Sequence, residues 1–189
     1  MPGVDNGELF QEAELREWTE KIIQKVGVNA DDTRLLTDSM IEANLRGVDT
    51  HGITRLLPDY IKRIQAGVIL PVTKQTILRE KSSTALIDCN NGIGQVASNY
   101  AMDLAIEKAR TTGTAFVATT RSNHFGAAAY WAMKALEHGM IGFSATNGAA
   151  SVAPTGGITP MLGPNPFSIA IPAGKELPFI YHRFVLQFQ

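Results

Sequence analysis

Asn91-Gly92-Ile93-Gly94-Gln95-Val96-Ala97 is the stretch on which the fold reading turns. It follows a β-prone run, Thr84-Ala85-Leu86-Ile87, and opens an alanine-rich segment with helical spacing from about Gln95 to Arg110. In that setting it matches the G-x-G-x-x-G/A fingerprint, whose glycines let a backbone approach a pyrophosphate. The fingerprint also needs an acid at the end of the next strand to hold a ribose hydroxyl. Here the next strand-like run, Thr114 to Thr119, continues into Thr120-Arg121-Ser122 and carries no acid. The stretch therefore reads as a plain strand-to-helix turn, and no Rossmann domain is assigned.

Working outward, Thr76-Ile77-Leu78 precedes the first run across the polar Arg79-Glu80-Lys81-Ser82-Ser83. Downstream, Gly113 ends the long helix, Phe125 to Glu137 has helical spacing, and Ile141 to Ala145 and Phe167 to Ile171 are short apolar strands. A loop rich in Gly, Pro and small residues, Thr146 to Pro166, separates the last two. The order β-β-α-β-α-β-loop-β predicts a mixed α/β layer. Ahead of it, Leu9 to Val26 reads as an amphipathic helix with Leu15, Trp18, Ile22 and Ile23 on one face, closed by Gly27. Asn29 is a predicted N-cap, with Asp31 and Asp32 in the first turn of a second helix. Pro58 suits the first turn of a third, whose apolar face is Tyr60, Ile61 and Ile64 and which Gly67 closes. The predicted organisation is a helical segment over 1–75, a partial α/β layer over 76–174 and a tail over 175–189.

Of 189 residues, 44% are hydrophobic and 19% charged, an ordinary globular composition. A net charge of −1 gives no footprint for nucleic acid or an anionic membrane surface. No apolar run reaches spanning length, and Met1 to Glu8 lacks the basic start and apolar core of a secretory signal. Cys89, the single cysteine, follows the apolar run Ala85-Leu86-Ile87 and reads as a small core residue. It allows no internal disulfide and fits a reducing, cytoplasmic setting.

The helical segment carries the richest chemistry. Arg46-Gly47-Val48-Asp49-Thr50-His51-Gly52-Ile53-Thr54-Arg55 sets an imidazole, two guanidinium groups, a carboxylate and hydroxyls around two glycines. Imidazole titrates nearest neutral pH, and guanidinium grips a carboxylate through two parallel hydrogen bonds. A solvated turn decorated by His51 and Arg55 remains the alternative. A second candidate is Arg121-Ser122-Asn123-His124-Phe125-Gly126-Ala127-Ala128-Ala129, where a strand hands over to a helix and first-turn amides offer a seat for an anion. His124 is there either a site residue or a cap. His138 and His182 have no such surroundings and read as surface residues. The scattered histidines show no metal-ligand spacing.

Together these stretches resemble the malate/L-lactate dehydrogenase family that is distinct from the Rossmann-type enzymes of the same names. Relatives include ureidoglycolate dehydrogenase, diketogulonate reductase, sulfolactate dehydrogenase and piperideine-carboxylate reductase. The matching blocks are Arg46 to Gly52 with Arg55, Gly92-Ile93-Gly94-Gln95, Ser122 to Gly126, and Gly163-Pro164-Asn165-Pro166-Phe167, within a likeness running from about Leu9 to Gly174. The resemblance implies hydride transfer between NAD or NADP and a 2-hydroxy or 2-oxo acid, on a non-Rossmann sheet-centred domain, in a homodimer. It implies that His51 is the proton donor and acceptor, oriented by Thr50, and that Arg55 binds the substrate carboxylate. His124 falls on a position assigned to the substrate and nicotinamide pocket, and to the proton role in one branch. Cofactor contacts are implied for Ser122, Asn123, His124, Phe125, Gly126, Asn147 and Asn165. After Lys175 the sequence leaves the family pattern. Glu176 to Gln189 is aromatic and apolar without helical or alternating order, and reads as a frameshift, an alternative splice end or a truncated gene model. The competing expectation is thus an inactive, truncated member serving at most as a dimerisation partner.

Overall fold

The computed structural model describes residues 9–183. Phe184, Val185, Leu186 and Phe188, part of the apolar tail, lie outside the described residues. Helices α1 (Glu12–Gln24) and α2 (Ala30–Leu45) pack on each other. The Asn29 side chain caps α2 by accepting the Asp32 N–H at 3.0 Å, and Gly27 turns the chain before it with φ of +88°. The buried face of α1 is rotated from the expected one. Thr19 and Ile23 are buried while Trp18 is 48% exposed, because α2 meets α1 on the Thr19 side of the stripe.

Beyond α2 the third helix differs in kind from the expectation. Two 3-10 turns, Asp49–His51 and Ile53–Arg55, lead into a π-helical turn, Leu56–Ile61, and only then into α3 (Lys62–Gln65). Pro58 falls in the first turn of the π segment, where an amide proton would have no intrahelical acceptor. The segment bonds Lys62 N–H to the Leu57 carbonyl. Leu56, Tyr60, Ile61 and Ile64 are thereby buried.

The α/β part holds two sheets among the described residues. In one, β1 (Thr76–Glu80) runs antiparallel to β2 (Thr84–Gly92), and β2 runs parallel to β3 (Phe116–Ser122). Helix α4 (Gly94–Thr112) is the crossover between β2 and β3, ended by Gly113 at φ of +80°. In the other sheet, β4 (Gly142–Ala145), β5 (Phe167–Ile171) and β6 (Phe179–Arg183) are antiparallel in that order, with α5 (Ala128–Lys134) packed on them. The fold is mixed α/β, as expected. Strand β6 departs from the expectation for the tail. Its residues alternate, Phe179, Tyr181 and Arg183 outward and Ile180 and His182 half-buried, and the Ser168 hydroxyl donates to the Tyr181 carbonyl.

One apolar cluster joins Ile23, Leu36 and Met40 to Leu56, Tyr60, Ile64 and to Ile93 and Val96 at the start of α4. The helical segment thus shares its core with the turn that opens α4, which fixes the two candidate stretches against each other. Cys89 is fully buried with Ile87 and Ala97, and burial with the Asp88 charge pushes its thiol up to about 11. It is a core residue, as read from the sequence. No helix among the described residues is long and apolar enough to cross a membrane.

Candidate active site

The loop carrying His51 is shaped by Asn44 on α2. The Asn44 amide accepts the Ile53 N–H at 2.9 Å and donates to Asp49 at 2.5 Å. Gly52 passes so near this amide that a Cβ there would lie 2.1 Å from its oxygen and push it off its bonds to Ile53 and Asp49. The Thr54 hydroxyl donates to the Asp49 carbonyl, and Arg46 pairs with Glu42 on α2. Asp49, Thr54 and Arg46 are therefore occupied in holding the loop, and the two guanidinium groups of the stretch do not act together. Thr50, His51 and Arg55 are what remains for chemistry.

His51 Nδ1 lies 3.0 Å from the Thr50 hydroxyl. Its ring stacks on that of His124, with centroids 5.4 Å apart and planes inclined by 27°. The two histidines singled out from sequence thus share one site. Arg55 donates through Nε to the Thr50 carbonyl at 2.6 Å and through Nη1 to Asp59 at 2.8 Å. Half of its fork is already engaged, so an incoming carboxylate meets an arginine whose direction is fixed. Burial, then the neighbouring His124, Arg55 and His182, push the His51 pKa down to about 4. Burial also lowers His124, with Asp59 pulling the other way and Arg55 and Arg63 adding to the depression. Both shifts favour the neutral rings at neutral pH.

His124 sits in a loop, not at a helix start. The chain leaves β3 at Ser122 and α5 begins only at Ala128, so no helical first turn surrounds His124 and the anion seat expected there is absent. The reason lies in Asn123 and Gly126. Asn123 donates to the carbonyls of Asn91 (3.0 Å) and Gly92 (2.9 Å) and accepts from Arg63 at 3.3 Å. Gly126, at φ of +77°, turns its N–H back onto His124 Nδ1 at 3.3 Å. The Tyr60 hydroxyl reaches the same nitrogen at 2.8 Å. The glycines of the tempting fingerprint serve this packing. A Cβ on Gly94 would lie 2.2 Å from the carbonyl oxygens of both Asn123 and His124, and one on Gly92 would meet Thr73.

A cavity of about 1110 Å³ opens beside this loop, between β3 and β4 and over α4 and α5. Ser122, Asn123 and Phe125 line it together with Asn147, four of the positions expected to contact a cofactor. Asn165 is apart from them; its side chain accepts the Gly148 N–H at 2.9 Å and shapes the 146–166 loop. Gly126 supplies the turn and is buried. His138 is exposed, but His182 is half-buried on β6 and near enough to depress His51, contrary to its reading as a surface residue. Tyr60, Gln95 and Asp59 were missed as site residues. Tyr60 counted only toward an apolar stripe, whereas the i,i+4 spacing of Arg55 and Asp59 was a visible ion-pair signal.

Comparisons with known proteins agree with this fold. The sequence model described as Malate/L-lactate dehydrogenase matches residues 10–181. The chain is 44% identical over 167 residues to a malate dehydrogenase of Pyrococcus abyssi, covering 88% of this chain and 46% of that protein. It is 40% identical over 154 residues to an L-sulfolactate dehydrogenase of Methanocaldococcus jannaschii, covering 82% and 44%. Among solved structures, malate dehydrogenase from Pyrococcus horikoshii OT3 superposes with a TM-score of 0.91 at 40% identity, over 96% of this chain and 52% of that one. Malate dehydrogenase from Entamoeba histolytica gives 0.90 at 40% identity, over 94% and 49%. The chain spans about half the length of the curated relatives it matches. It belongs to the malate/L-lactate dehydrogenase family.

Proposed function

We propose that this chain carries the proton-handling half of an active site for hydride transfer between a nicotinamide cofactor, NAD or NADP, and a small 2-hydroxy or 2-oxo acid. The observation that supports it is the stack of His51 on His124 beside Arg55, two neutral imidazoles and a directed guanidinium in one recess. In the oxidation direction the neutral His51 accepts the hydroxyl proton as the hydride leaves, and the Thr50 hydroxyl holds its ring. In the reverse direction the same nitrogen returns the proton to the carbonyl oxygen. Arg55 binds the acid's carboxylate, which displaces or shares Asp59 on the guanidinium.

The cavity suits a dinucleotide in its polar rim. Ser122 and Asn147 offer hydroxyl and amide groups to ribose and carboxamide, while Arg121, also on the lining, is paired with Asp88 by two bonds of 2.9 and 2.6 Å. The bound cofactor would supply the hydride donor or acceptor. The relatives' names, malate and sulfolactate, suggest dianionic substrates. A homodimer in the cytoplasm completes the reading.

Calorimetric titration of NADH and NADPH into the purified chain tests it, followed by absorbance of the reduced nicotinamide with malate, lactate and sulfolactate and their 2-oxo forms. Micromolar binding with turnover of one acid is expected. Millimolar or weaker binding without turnover refutes it. That outcome would favour an inactive member acting as a dimerisation partner.

A further inference from the structure

Tyr60 and Gln95 lie outside the residues assigned so far, yet both are fully buried, with Tyr60 bonded to His124 and Gln95 bonded to Tyr60. Gln95, the second residue of α4, donates through Nε2 to the Tyr60 hydroxyl at 2.5 Å, and that hydroxyl lies 2.8 Å from His124 Nδ1. The direction of this chain of bonds is set at its far end. The Gly126 N–H faces the same Nδ1 at 3.3 Å, and a backbone N–H can only donate. Nδ1 therefore presents its lone pair. The Tyr60 phenol, 2.8 Å away, gives its one proton to that same lone pair, which it shares with the more distant Gly126 N–H. Its oxygen then accepts, and only the amide NH2 of Gln95 can supply that bond.

The amide orientation follows without further assumption, and it has a visible cost. Gln95 Oε1 is buried with no hydrogen-bond partner among the described residues. A glutamine free to turn would satisfy that oxygen, since an orphaned buried acceptor costs about 1–3 kcal/mol. It is held the other way by the demand from Tyr60. Burial raises the Tyr60 pKa well above the usual phenol value, so the hydroxyl keeps its proton. His51 contrasts with this. Its Nδ1 meets the hydroxyl of exposed Thr50, which can donate or accept and so serves either tautomer.

We propose that Tyr60 and Gln95 are positioning residues that lock His124 as the neutral Nε2–H tautomer, a fixed hydrogen-bond donor, and so leave His51 as the proton carrier. The locking is a property of this chain alone. The division of roles rests on the hydride-transfer reading above. A neutral donor aimed at an oxygen that gains charge stabilises it without itself changing protonation.

The test is two-bond 1H–15N correlation spectroscopy on the full chain with 15N-labelled histidine at neutral pH, with His124 identified by the signal lost in His124→Gln. The wild-type ring should show a pyridine-type Nδ1 and a pyrrole-type Nε2. Tyr60→Phe, and separately Gln95→Leu, should move the two nitrogens toward averaged values while His138 stays unchanged. A wild-type His124 with its proton on Nδ1, or with averaged nitrogens, overturns the proposal without any variant having to fold. Folded variants that leave the His124 shifts unchanged overturn it as well. NADH titrated into the same samples reports separately on the hydride-transfer reading, so loss of either one is distinguishable from loss of the other.

Discussion

Replacing Gly94 by alanine sets two effects of opposite sign against each other. Gly94 is the first residue of α4, and alanine there gains helix propensity worth at most about 1 kcal/mol. The added Cβ would lie 2.2 Å from the carbonyl oxygens of both Asn123 and His124, where Cβ contacts below 3.0 Å are essentially never seen. The loop must therefore retreat by 3.0 − 2.2 = 0.8 Å on two carbonyls at once. It has little room to do so, because the Asn123 amide is tied to Asn91 and Gly92 and His124 is tied to Tyr60. Overpacking of this kind costs about 1–3 kcal/mol and wins over the propensity gain. The assay is urea unfolding at constant slope, where a lower midpoint reports lost stability. Histidine 15N spectra of the same variant should show His124 shifted. Gly113→Ala is the control, because its residue has φ of +80° and open space around it, so it should lose about 1–2 kcal/mol through left-handed strain and leave His124 in place. A Gly94→Ala chain with an unchanged or raised midpoint and an unmoved His124 would refute the packing of this turn against the loop.

Four further outcomes are expected. The His51 pKa is lowered to about 4 from an unfolded value of about 6.5, so the unfolded chain binds more protons between these values and stability falls as pH drops through that window. The slope of melting temperature against pH should accordingly be shallower in His51→Gln than in the wild type; equal slopes would mean that His51 is not held neutral. In a chain that turns over a 2-oxo acid, His51→Ala should lower kcat by roughly 100- to 10,000-fold. Arg55→Lys should chiefly raise KM, since an ammonium cannot replace the fork that spans the Thr50 carbonyl and Asp59. Ending the chain after Gly174 removes β6, unpairs the whole edge of β5 and takes the acceptor from Ser168. Such an edge recruits other strands, so sedimentation should show larger oligomers than the full chain gives; a sharp monomer from the shortened chain would show that β6 is dispensable.

Most of the fold was legible because it is written in local patterns. The Asn29 cap with Asp31 and Asp32, the Gly113 stop and the span of β5 each follow from a few neighbouring residues, and each stands within a residue or two of its expected place. The Gly92–Gly94 stretch was legible only through what it lacks downstream. The errors have physical causes of another kind. Trp18 has more apolar surface than Thr19, but α2 approaches from the Thr19 side, and hydropathy carries no record of that approach. The helix expected from Phe125 starts at Ala128 because the Asn123 amide prefers two carbonyls of β2 to a helical turn. The start of the tail, without alternation in its sequence, becomes a strand because β5 offers it an edge.

The site divides in the same way. His51, Thr50 and Arg55 stand out in the sequence because six polar side chains crowd ten positions, and Asn44 then sorts those that build the loop from those left over. His124 was visible as a polar residue among small ones. What decides its chemistry was not visible, since its partners lie 64 residues away in Tyr60 and, one step further, in Gln95, which reaches back 35 residues to that tyrosine. In the sequence Tyr60 looks like core because its ring is core; only its single oxygen belongs to the site. Residues with an apolar body and a polar tip serve both purposes at once. Periodicity counts the body, while the proton on His124 answers to the tip. The shared cluster of Leu56, Tyr60, Ile64, Ile93 and Val96 therefore does more than hold the helical segment to α4. It sets the register in which an apolar stripe delivers one hydroxyl to one imidazole nitrogen, so loosening that core should disturb the His124 tautomer before it unfolds the chain.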